Sequence, residues 1–244
     1  MNKSTLNFCY SQQIFPLFYD IIAEKEDPMP NKTGATTKAK LAESAWKLFY
    51  EKGYENTTIE DIVDDSGTSK GSFYHYFKGK DDLLGTLSML FDAKYEELKE
   101  AMDPGSNSVD KLIFLNHELF TMIDNSISMD LLARLFSSQL TTKGEKSLLD
   151  RNRTYFKLLW KIIKEGQERK ELRADLSVNE IVDSYAMFER ALMYDWCLCN
   201  GKYALARYAD QMMPMFLEGF RAEKKNNRKN YPKYKHISYK TTIA

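Results

Sequence analysis

The stretch that most constrains the fold is residues 57–80, which read TTIEDIVDDSGTSKGSFYHYFKGK. It predicts two short helices joined by a tight turn. The first begins at residues 57–58, where a threonine hydroxyl can cap free backbone N–H groups. Gly67 ends it, because glycine adopts a left-handed backbone without steric cost. A hydroxyl at position 68 or 69 can then cap a second helix that runs to about position 76 or 77.

The second helix exposes an unusual set of side chains. Phe73 and Phe77 lie four residues apart and can face the core. The remaining surface carries short hydroxyls, a lysine, a histidine and tyrosines: Ser69, Lys70, Ser72, Tyr74, His75 and Tyr76. Small groups admit a helix to the major groove of DNA, a lysine can reach guanine edges, and phenolic hydroxyls can donate to phosphates. The pattern therefore favours a DNA-reading helix.

A group of residues in and beside this stretch carries a family resemblance. They are Thr57, Thr58, Ile59, Asp61, Ile62, Gly67, the run 69–77, Lys80, Asp82, Leu83 and Leu84. At these positions the chain resembles the TetR family of bacterial transcription regulators, over roughly residues 36–91. The resemblance implies an all-α fold of about nine helices: a three-helix DNA-binding domain with a helix-turn-helix, then a helical ligand-binding and dimerisation domain. It also implies a homodimer that binds a near-palindromic double-stranded DNA operator and is released by a small-molecule effector, which makes a repressor.

Composition agrees with a helical fold and restricts where DNA could bind. Among 244 residues there are only 11 Gly and 6 Pro, and hydrophobic residues make up 43%, as expected for a globular, mostly helical chain. The formal net charge is zero, so any charge that attracts DNA must be local. The three cysteines, Cys9, Cys197 and Cys199, are too few for a disulfide framework, which indicates a reducing cytoplasm.

Four segments are predicted along the chain. Residues 1–35 are an N-terminal extension, and two interpretations stay open: translation starts at Met29, or the extension is poorly ordered. Residues 36–82 form the helix-turn-helix domain, and residues 83–225 form the effector-binding and dimerisation domain. Residues 226–244 are a basic tail that either contacts nucleic acid or is a solvated terminus. The apolar patch near the N-terminus is too short and interrupted for a membrane span.

Apolar periodicity predicts the individual helices. The first spans about residues 36–52 and closes a three-helix core. That core comprises Leu41, Ala45, Phe49, Ile59, Ile62, Phe73 and Phe77. A long helix starts at Asp81 and continues to about residue 102. Five more follow at about residues 108–125, 129–140, 147–170, 178–200 and 203–225.

The last two predicted helices are rich in large apolar residues. These include Tyr185, Phe188, Leu192, Trp196, Met212, Met213, Phe216, Leu217 and Phe220. Such a surface is commonly buried against a second copy, and the resemblance implies a four-helix bundle across a twofold axis. The alternative is that these residues complete the core of the monomer.

The resemblance transfers DNA contacts to named positions. Thr58, Tyr74, Tyr76 and Lys80 match positions that contact phosphates, and Ser69, Lys70, Gly71 and Ser72 match positions that face base edges. Tyr74 can reach either, and His75 lies on the same helix. Physical reasoning agrees, since Gly71 lets the backbone approach DNA and Lys70 is the only long cation on this helix.

Candidate effector contacts rest on a weaker pattern. Aromatic and charged residues in the helices that surround the pocket in this family are Phe120, Arg134, Tyr155, Trp160, Phe188, Glu189 and Trp196. They indicate an apolar or planar effector, although each one taken singly is better explained as a core or surface residue. The sequence contains no metal-site spacing, no glycine-rich phosphate loop and no nucleophile motif, so neither a cofactor nor an enzymatic activity is predicted. Two other functions remain open: an activator or partner-binding regulator, and an all-helical sensor module without specific DNA binding.

Overall fold

The computed structural model describes residues 32–141, 143–144 and 146–222. Over these ranges the chain is all-helical, which confirms the predicted fold class, and β-pairing is limited to an isolated antiparallel bridge between Leu172 and Arg221. The α-helices are α1 (Lys32–Glu51), α2 (Ile59–Ser66), α3 (Lys70–Tyr76), α4 (Lys80–Leu84), α5 (Leu87–Ala101), α6 (Ser108–Ser126), α7 (Met129–Thr141), α8 (Thr154–Glu168), α9 (Val178–Leu198) and α10 (Leu205–Glu218), with a 3-10 helix at Ser147–Leu149. The predicted N-terminal extension with its alternative start at Met29, and the predicted basic tail at 226–244, lie outside the described residues.

The three-helix core of the DNA-binding domain forms as predicted. Helices α1, α2 and α3 pack against one another. Their buried side chains are Leu41, Ala45, Trp46, Phe49, Ile62, Phe73 and Phe77. Each large apolar side chain removed from water in this way stabilises the domain by about 1.5–3 kcal/mol. Ile59 is only partly buried and lies at the edge of this core.

Local capping contacts fix the turn between α2 and α3. The Thr58 hydroxyl accepts a hydrogen bond from the Asp61 N–H at 3.1 Å, and the Asp61 carboxylate accepts one from the Thr58 N–H at 2.8 Å. Gly67 ends α2 with φ of 64°, in the left-handed region. Ser69 then caps α3 by accepting from the Ser72 N–H at 3.1 Å. The angle between the two helices is therefore encoded within a few residues.

The predicted long helix is interrupted between α4 and α5. Through this connection the backbone bonds tighten to a three-residue spacing, with Gly85 N–H donating to Asp82 O and Thr86 N–H to Leu83 O. The Thr86 hydroxyl also accepts from the buried Trp46 indole N–H at 2.7 Å and donates to Leu83 O at 2.6 Å. The interruption therefore gives the indole an acceptor and ties α1 to the start of the effector domain. It is also why the described residues form ten α-helices where about nine were predicted.

Helices α5 to α10 form the effector domain. Helix α8 packs against α5, α6 and α9, and α6 packs along α10. Helix α7 packs against α9 on one side and α4 on the other, so it joins the two domains. The predicted helix at 147–170 begins at Thr154, after the 3-10 helix, and the last helix ends at Glu218. Across the described part of the chain, no helix combines the length and apolar character that a membrane span requires.

Most of the apolar residues predicted to meet a second copy are inside the monomer. Those that are buried are Tyr185, Leu192, Trp196, Met213 and Leu217, and the others are partly buried. A different set is exposed on the same helices: Met187, Tyr194 and Leu198 on α9, and Tyr208 and Met215 on α10. The monomer core therefore accounts for the predicted residues, whereas the exposed set forms a separate apolar face.

Candidate nucleic-acid interface and effector cavity

Helix α3 presents its polar side chains to solvent. Phe73 and Phe77 anchor the helix in the core. The exposed residues at and after its start are Ser69, Lys70, Gly71, Tyr74 and His75, while Ser72 and Tyr76 are half-buried. The side chain of Tyr74 is 57% exposed even though its ring packs edge-on against Phe73. The structure thus brings the predicted base-facing residues onto one short helix.

Lys70 forms an ion pair with Glu60 on the preceding helix α2. This hydrogen-bonded contact lowers the pKa of Glu60 and raises the pKa of Lys70. Both side chains are more than half exposed, so water screens the pair and it adds little to stability. Lys70 can therefore exchange Glu60 for a DNA base edge at low cost.

Two residues that were predicted to contact phosphates, Thr58 and Lys80, make hydrogen bonds inside the DNA-binding domain. The Lys80 ammonium donates to Tyr54 O at 2.6 Å and to Thr57 O at 2.9 Å, and it lies 4.2 Å from the centre of the Tyr54 ring. Two of its three N–H donors are thereby used on the loop between α1 and α2. The Thr58 hydroxyl donates to the Asp61 carboxylate at 2.8 Å. Thr58 and Lys80 therefore stabilise the DNA-binding domain, and their contacts with DNA phosphates stay predictions.

Arg134 lies at the junction of the two domains. Its guanidinium donates to Glu55 at 2.5 Å and to Asp130 at 2.9 Å, and it lies 4.9 Å from the centre of the Tyr54 ring. Since the Lys80 ammonium also contacts that ring, both cations hold Tyr54. Arg134 therefore links α7 to the loop after α1, and its predicted contact with an effector stays a prediction.

A buried polar cluster occupies the centre of the effector domain. Glu189 is only 2% exposed. Its carboxylate accepts from Asn116 Nδ2 at 2.8 Å and from the Tyr155 hydroxyl at 2.5 Å. The Tyr185 hydroxyl lies against it and donates to Leu112 O at 2.8 Å. Burial raises the pKa of Glu189, and the surrounding donors partly offset this by favouring the charged form.

A second buried pair lies beside this cluster. The Arg153 guanidinium binds the Asp92 carboxylate at 3.1–3.2 Å and Ser88 O at 3.0 Å, with both charged side chains less than a tenth exposed. Arg153 has no unshared charge for a ligand, because Asp92 neutralises it. Breaking such a buried pair by removing one partner is costly, at about 3–5 kcal/mol.

A small cavity lies between these groups, next to a larger groove. The cavity, of about 30 Å³, is lined by Phe91, Tyr95, Leu119, Leu132, Leu135, Phe136, Leu148, Arg153, Tyr155, Ala186, Glu189, Arg190 and Met193. The groove, of about 530 Å³, is lined by Phe136, Gln139, Leu140, Lys146, Leu148, Leu149, Met187, Arg190, Ala191 and Tyr194. Phe136, Leu148 and Arg190 line both spaces, so the cavity and the groove are neighbours.

Of the predicted effector contacts, Tyr155 and Glu189 lie at this cavity. Phe120 is buried away from its lining. Phe188 stacks on Phe216 with ring centres 4.2 Å apart. These positions are ordinary for core residues, and a ligand role for Phe120 and Phe188 stays a prediction.

The two predicted tryptophans lie elsewhere. The Trp196 indole donates to Tyr203 O at 2.8 Å, next to the connection between α9 and α10. Trp160 is 42% exposed and, with Arg151 and Lys157, lines a separate groove of about 470 Å³. The predicted contacts of Trp160 and Trp196 with an effector likewise stay predictions.

Sequence reasoning missed Tyr95, Arg153 and Arg190. They come from α5, from the residue before α8, and from α9, and they meet only through tertiary packing. No local spacing in the sequence joins them.

Burial raises the pKa of the Cys197 thiol to about 11, so this cysteine is neutral and unreactive near pH 7.

Comparison with known proteins gives two matching sequence families. A model described as bacterial regulatory proteins, tetR family, matches residues 41–87, and one described as YsiA-like protein, C-terminal region, matches residues 89–219. The second match alone spans more than half of the 244 residues. Together they cover the DNA-binding domain and the helices around the cavity.

Individual relatives extend over the same region. The HTH-type transcriptional repressor KstR2 of Mycobacterium tuberculosis is 24% identical over 188 residues, covering 76% of this chain and 94% of that protein. The solved structure of Thermus thermophilus FadR, a TetR family transcriptional repressor in complex with lauroyl-CoA, has a TM-score of 0.65 at 22% identity, covering 77% of this chain and 97% of that one. The structure of Bacillus subtilis FadR in complex with stearoyl-CoA has a TM-score of 0.58 at 19% identity, covering 75% and 100%. Both structures share the fold described above.

Proposed function

Because this chain belongs to the TetR family of bacterial regulatory proteins, we propose that it is a homodimeric repressor released from its operator by an acyl thioester of coenzyme A. The chain is a ligand-responsive, DNA-binding transcriptional regulator. The dimer, the individual DNA contacts and the effector class are the parts that the proposal adds.

On DNA, α3 enters the major groove with its exposed side toward the bases. Lys70 leaves Glu60 and reaches a guanine edge, while Ser69, Gly71 and Ser72 keep the helix close to the groove. Tyr74 contacts either a base edge or a phosphate. The side chains that bind phosphates are Thr58, Tyr76 and Lys80, with His75 beside them on the same helix.

Dimerisation uses the exposed apolar face of α9 and α10. Met187, Tyr194 and Leu198 follow one another at intervals of seven and four residues, and Tyr208 and Met215 are seven apart, so each set lies along one side of its helix. Exposed apolar rows of this kind are typical of surfaces covered by a partner. A twofold pairing of this face places two α3 helices on successive half-sites of an operator.

The groove suits an acyl chain. Its volume of about 530 Å³ lies in the range of small-molecule sites. Apolar side chains form most of its walls, and Lys146 offers positive charge for a coenzyme A phosphate. The two FadR proteins named above were solved with lauroyl-CoA and stearoyl-CoA, which makes this effector class the first to test.

The observation that carries the regulatory part of the proposal is the double role of α7. Phe136 of α7 lines both the cavity and the groove, and Arg134, two residues earlier, binds Glu55 in the DNA-binding domain. Helix α9 forms the opposite wall, and its Met187 and Tyr194 belong both to this wall and to the dimer face, so the groove lies at the edge of the proposed interface. An effector that changes the spacing of α7 and α9 would thus favour a dimer whose α3 helices no longer match the operator.

The experiment is titration of the purified protein with lauroyl-CoA, followed by calorimetry and by release of bound operator DNA. We expect saturable binding and release, with free coenzyme A and lauric acid much weaker. Leu140 and Ser137 offer matched positions, since both are exposed on α7 and only Leu140 is in the lining of the groove. Leu140→Glu places a charge at the groove and should weaken lauroyl-CoA binding, whereas Ser137→Glu should leave it intact. Absence of binding by every acyl-CoA tried would refute the proposed effector class.

A further inference from the structure

The hydroxyl of Tyr95 is a buried polar group with nothing in the described chain to bond to. Tyr95 is 2% exposed, and no hydrogen-bond partner for its Oη is found among residues 32–141, 143–144 and 146–222. The hydroxyls of the neighbouring Tyr155 and Tyr185 are both bonded, to Glu189 and to Leu112 O. A buried hydroxyl without a partner is unfavourable, so such a group in a native protein usually has a task.

Tyr95 lies in the wall of the cavity. Tyr95 and Glu189 both line this space, and its ring packs against Tyr155 with centres 4.9 Å apart. Burial raises the pKa of Tyr95. The Glu189 carboxylate raises this pKa further, and the Arg153 guanidinium lowers it. The hydroxyl therefore lies in the field of these two cavity residues without bonding to either.

The size and place of the cavity limit what can bind there. About 30 Å³ holds one or two groups of the size of a water molecule. The cavity adjoins the apolar groove at Phe136 and Leu148. A slender chain that lies in the groove and passes between these two side chains would present its far end, and little more, to Tyr95 and Glu189.

Tyr95 and Glu189 determine which chemical group suits the far end of such a chain. Tyr95 can donate one hydrogen bond, and the Glu189 carboxylate, which already accepts from Asn116 and Tyr155 and has the Tyr185 hydroxyl against it, can accept about one more. A hydroxyl both accepts and donates, so it can bridge the two. A methyl end leaves Tyr95 unbonded, and a carboxylate end brings a second negative charge to Glu189.

We propose that Tyr95 and Glu189 form a specificity site for a hydroxyl group at the far end of the effector chain, so that the preferred effector is an ω-hydroxyacyl thioester. This inference rests on the proposed acyl-CoA effector and narrows it. Tyr95 is the residue that distinguishes a hydroxylated chain from a plain one.

The test compares lauroyl-CoA with 12-hydroxylauroyl-CoA, and a short series of matched pairs around that length, by calorimetry on wild type and Tyr95→Phe. Wild type should bind the best hydroxylated chain about tenfold more tightly than its plain counterpart, as one buried hydrogen-bonded group allows. Tyr95→Phe should abolish this preference and keep its affinity for the plain chain. Equal affinities in wild type, or a preference that survives in Tyr95→Phe, would overturn the inference and leave the acyl-CoA proposal standing. If neither kind of chain binds, the acyl-CoA proposal fails and the inference falls with it.

Thermal unfolding supplies a second readout. Because the Tyr95 hydroxyl makes no bond in the described structure, Tyr95→Phe should unfold at the same temperature as wild type or higher. Tyr155→Phe removes a bonded hydroxyl of similar burial and should unfold earlier. A Tyr95→Phe protein that unfolds as early as Tyr155→Phe would show that the hydroxyl bonds a fixed internal water, and this would contradict a ligand-selecting role.

Discussion

Arg134 on α7 and Glu55 in the loop after α1 form an ion pair that joins the effector domain to the DNA-binding domain. The same guanidinium contacts the Tyr54 ring, whose other cationic neighbour is Lys80 at the start of α4. The Tyr50 hydroxyl donates to Ser126 O close by. This junction lies on α7, which also lines the groove, so it connects the groove physically with the DNA-binding domain.

Replacing Arg134 should weaken communication between the domains. In Arg134→Ala, lauroyl-CoA should still bind, but the ratio of operator affinities without and with lauroyl-CoA should fall by about three- to tenfold, the scale on which single residues alter coupling. The measurement is operator affinity by fluorescence anisotropy at several effector concentrations.

Arg151→Ala is the matched control for this variant. Arg151 also pairs with an acidic residue, Asp183, but within the effector domain. Its loss should leave the ratio unchanged. An Arg134→Ala protein released from DNA as fully as wild type would remove Arg134 from the mechanism.

Lys70 and Glu60 should have opposite effects on DNA binding. Lys70→Ala should lower affinity for the operator about tenfold, as expected for a lost base contact, and lower affinity for unrelated DNA much less. Glu60→Gln should raise both affinities, because it removes the partner that holds Lys70 and a negative charge beside the DNA. Competition binding at fixed salt measures the affinities for operator and for unrelated DNA. A Glu60→Gln protein that binds DNA more weakly than wild type would contradict this prediction and show that the ion pair positions α3.

Lys80 should behave differently from Lys70. Lys80→Ala should weaken operator and unrelated DNA alike and flatten the salt dependence, as for a phosphate contact. It should also lower the unfolding temperature, since Lys80 holds two carbonyls of the α1–α2 loop. Equal effects of the two lysine variants on specificity would contradict this division.

Two glycines of the helix-turn-helix should separate folding from DNA binding. Gly67 has φ of 64°, so Gly67→Ala should cost about 1 kcal/mol of stability although no atom lies near the added methyl. Gly71 has no such strain, and its added methyl would lie 3.7 Å from Ser69 Oγ. Gly71→Ala should therefore fold at least as stably, yet bind the operator more weakly because the methyl faces DNA. Unfolding and binding measured on both variants test this, and the account fails if Gly71→Ala binds normally.

The buried Glu189 should give stability a specific pH dependence. Its folded-state pKa is raised above the ordinary value of 4.5, so the folded protein binds the proton more tightly than the unfolded chain does. Glu189 therefore destabilises the fold progressively as pH rises from about 4.5 through its folded pKa. Glu189→Gln lacks this effect, and the unfolding temperature of wild type minus that of the variant should fall over the same range. A difference that stays constant from about pH 4.5 to pH 8 would refute the raised pKa.

The sequence predicts the DNA-binding domain well because its determinants are local. Thr58, Asp61, Gly67 and Ser69 cap and join α2 and α3 within a dozen positions, and the spacing of Phe73 and Phe77 shows which side is buried. Helix periodicity likewise places most of the effector domain.

Features created by contacts distant in sequence were not predictable. The interruption at Thr86 depends on the Trp46 indole, forty residues earlier. Glu189 and Tyr155 could be suspected as polar residues among aromatics, but nothing marked Tyr95 as their neighbour, because α5 and α9 meet only in the folded domain. Arg134 was suspected for the same reason as Glu189, yet it lies on a surface that only the packing of α7 against α4 creates.

The most direct test of the account is a footprint of the purified protein on DNA upstream of its own gene, over a salt series, with and without lauroyl-CoA. The account predicts a roughly symmetric protected site of two half-sites about one helical turn apart, which survives moderate salt and is lost on adding lauroyl-CoA. Protection that is uniform along the fragment, that vanishes with salt and that ignores the acyl-CoA would contradict it.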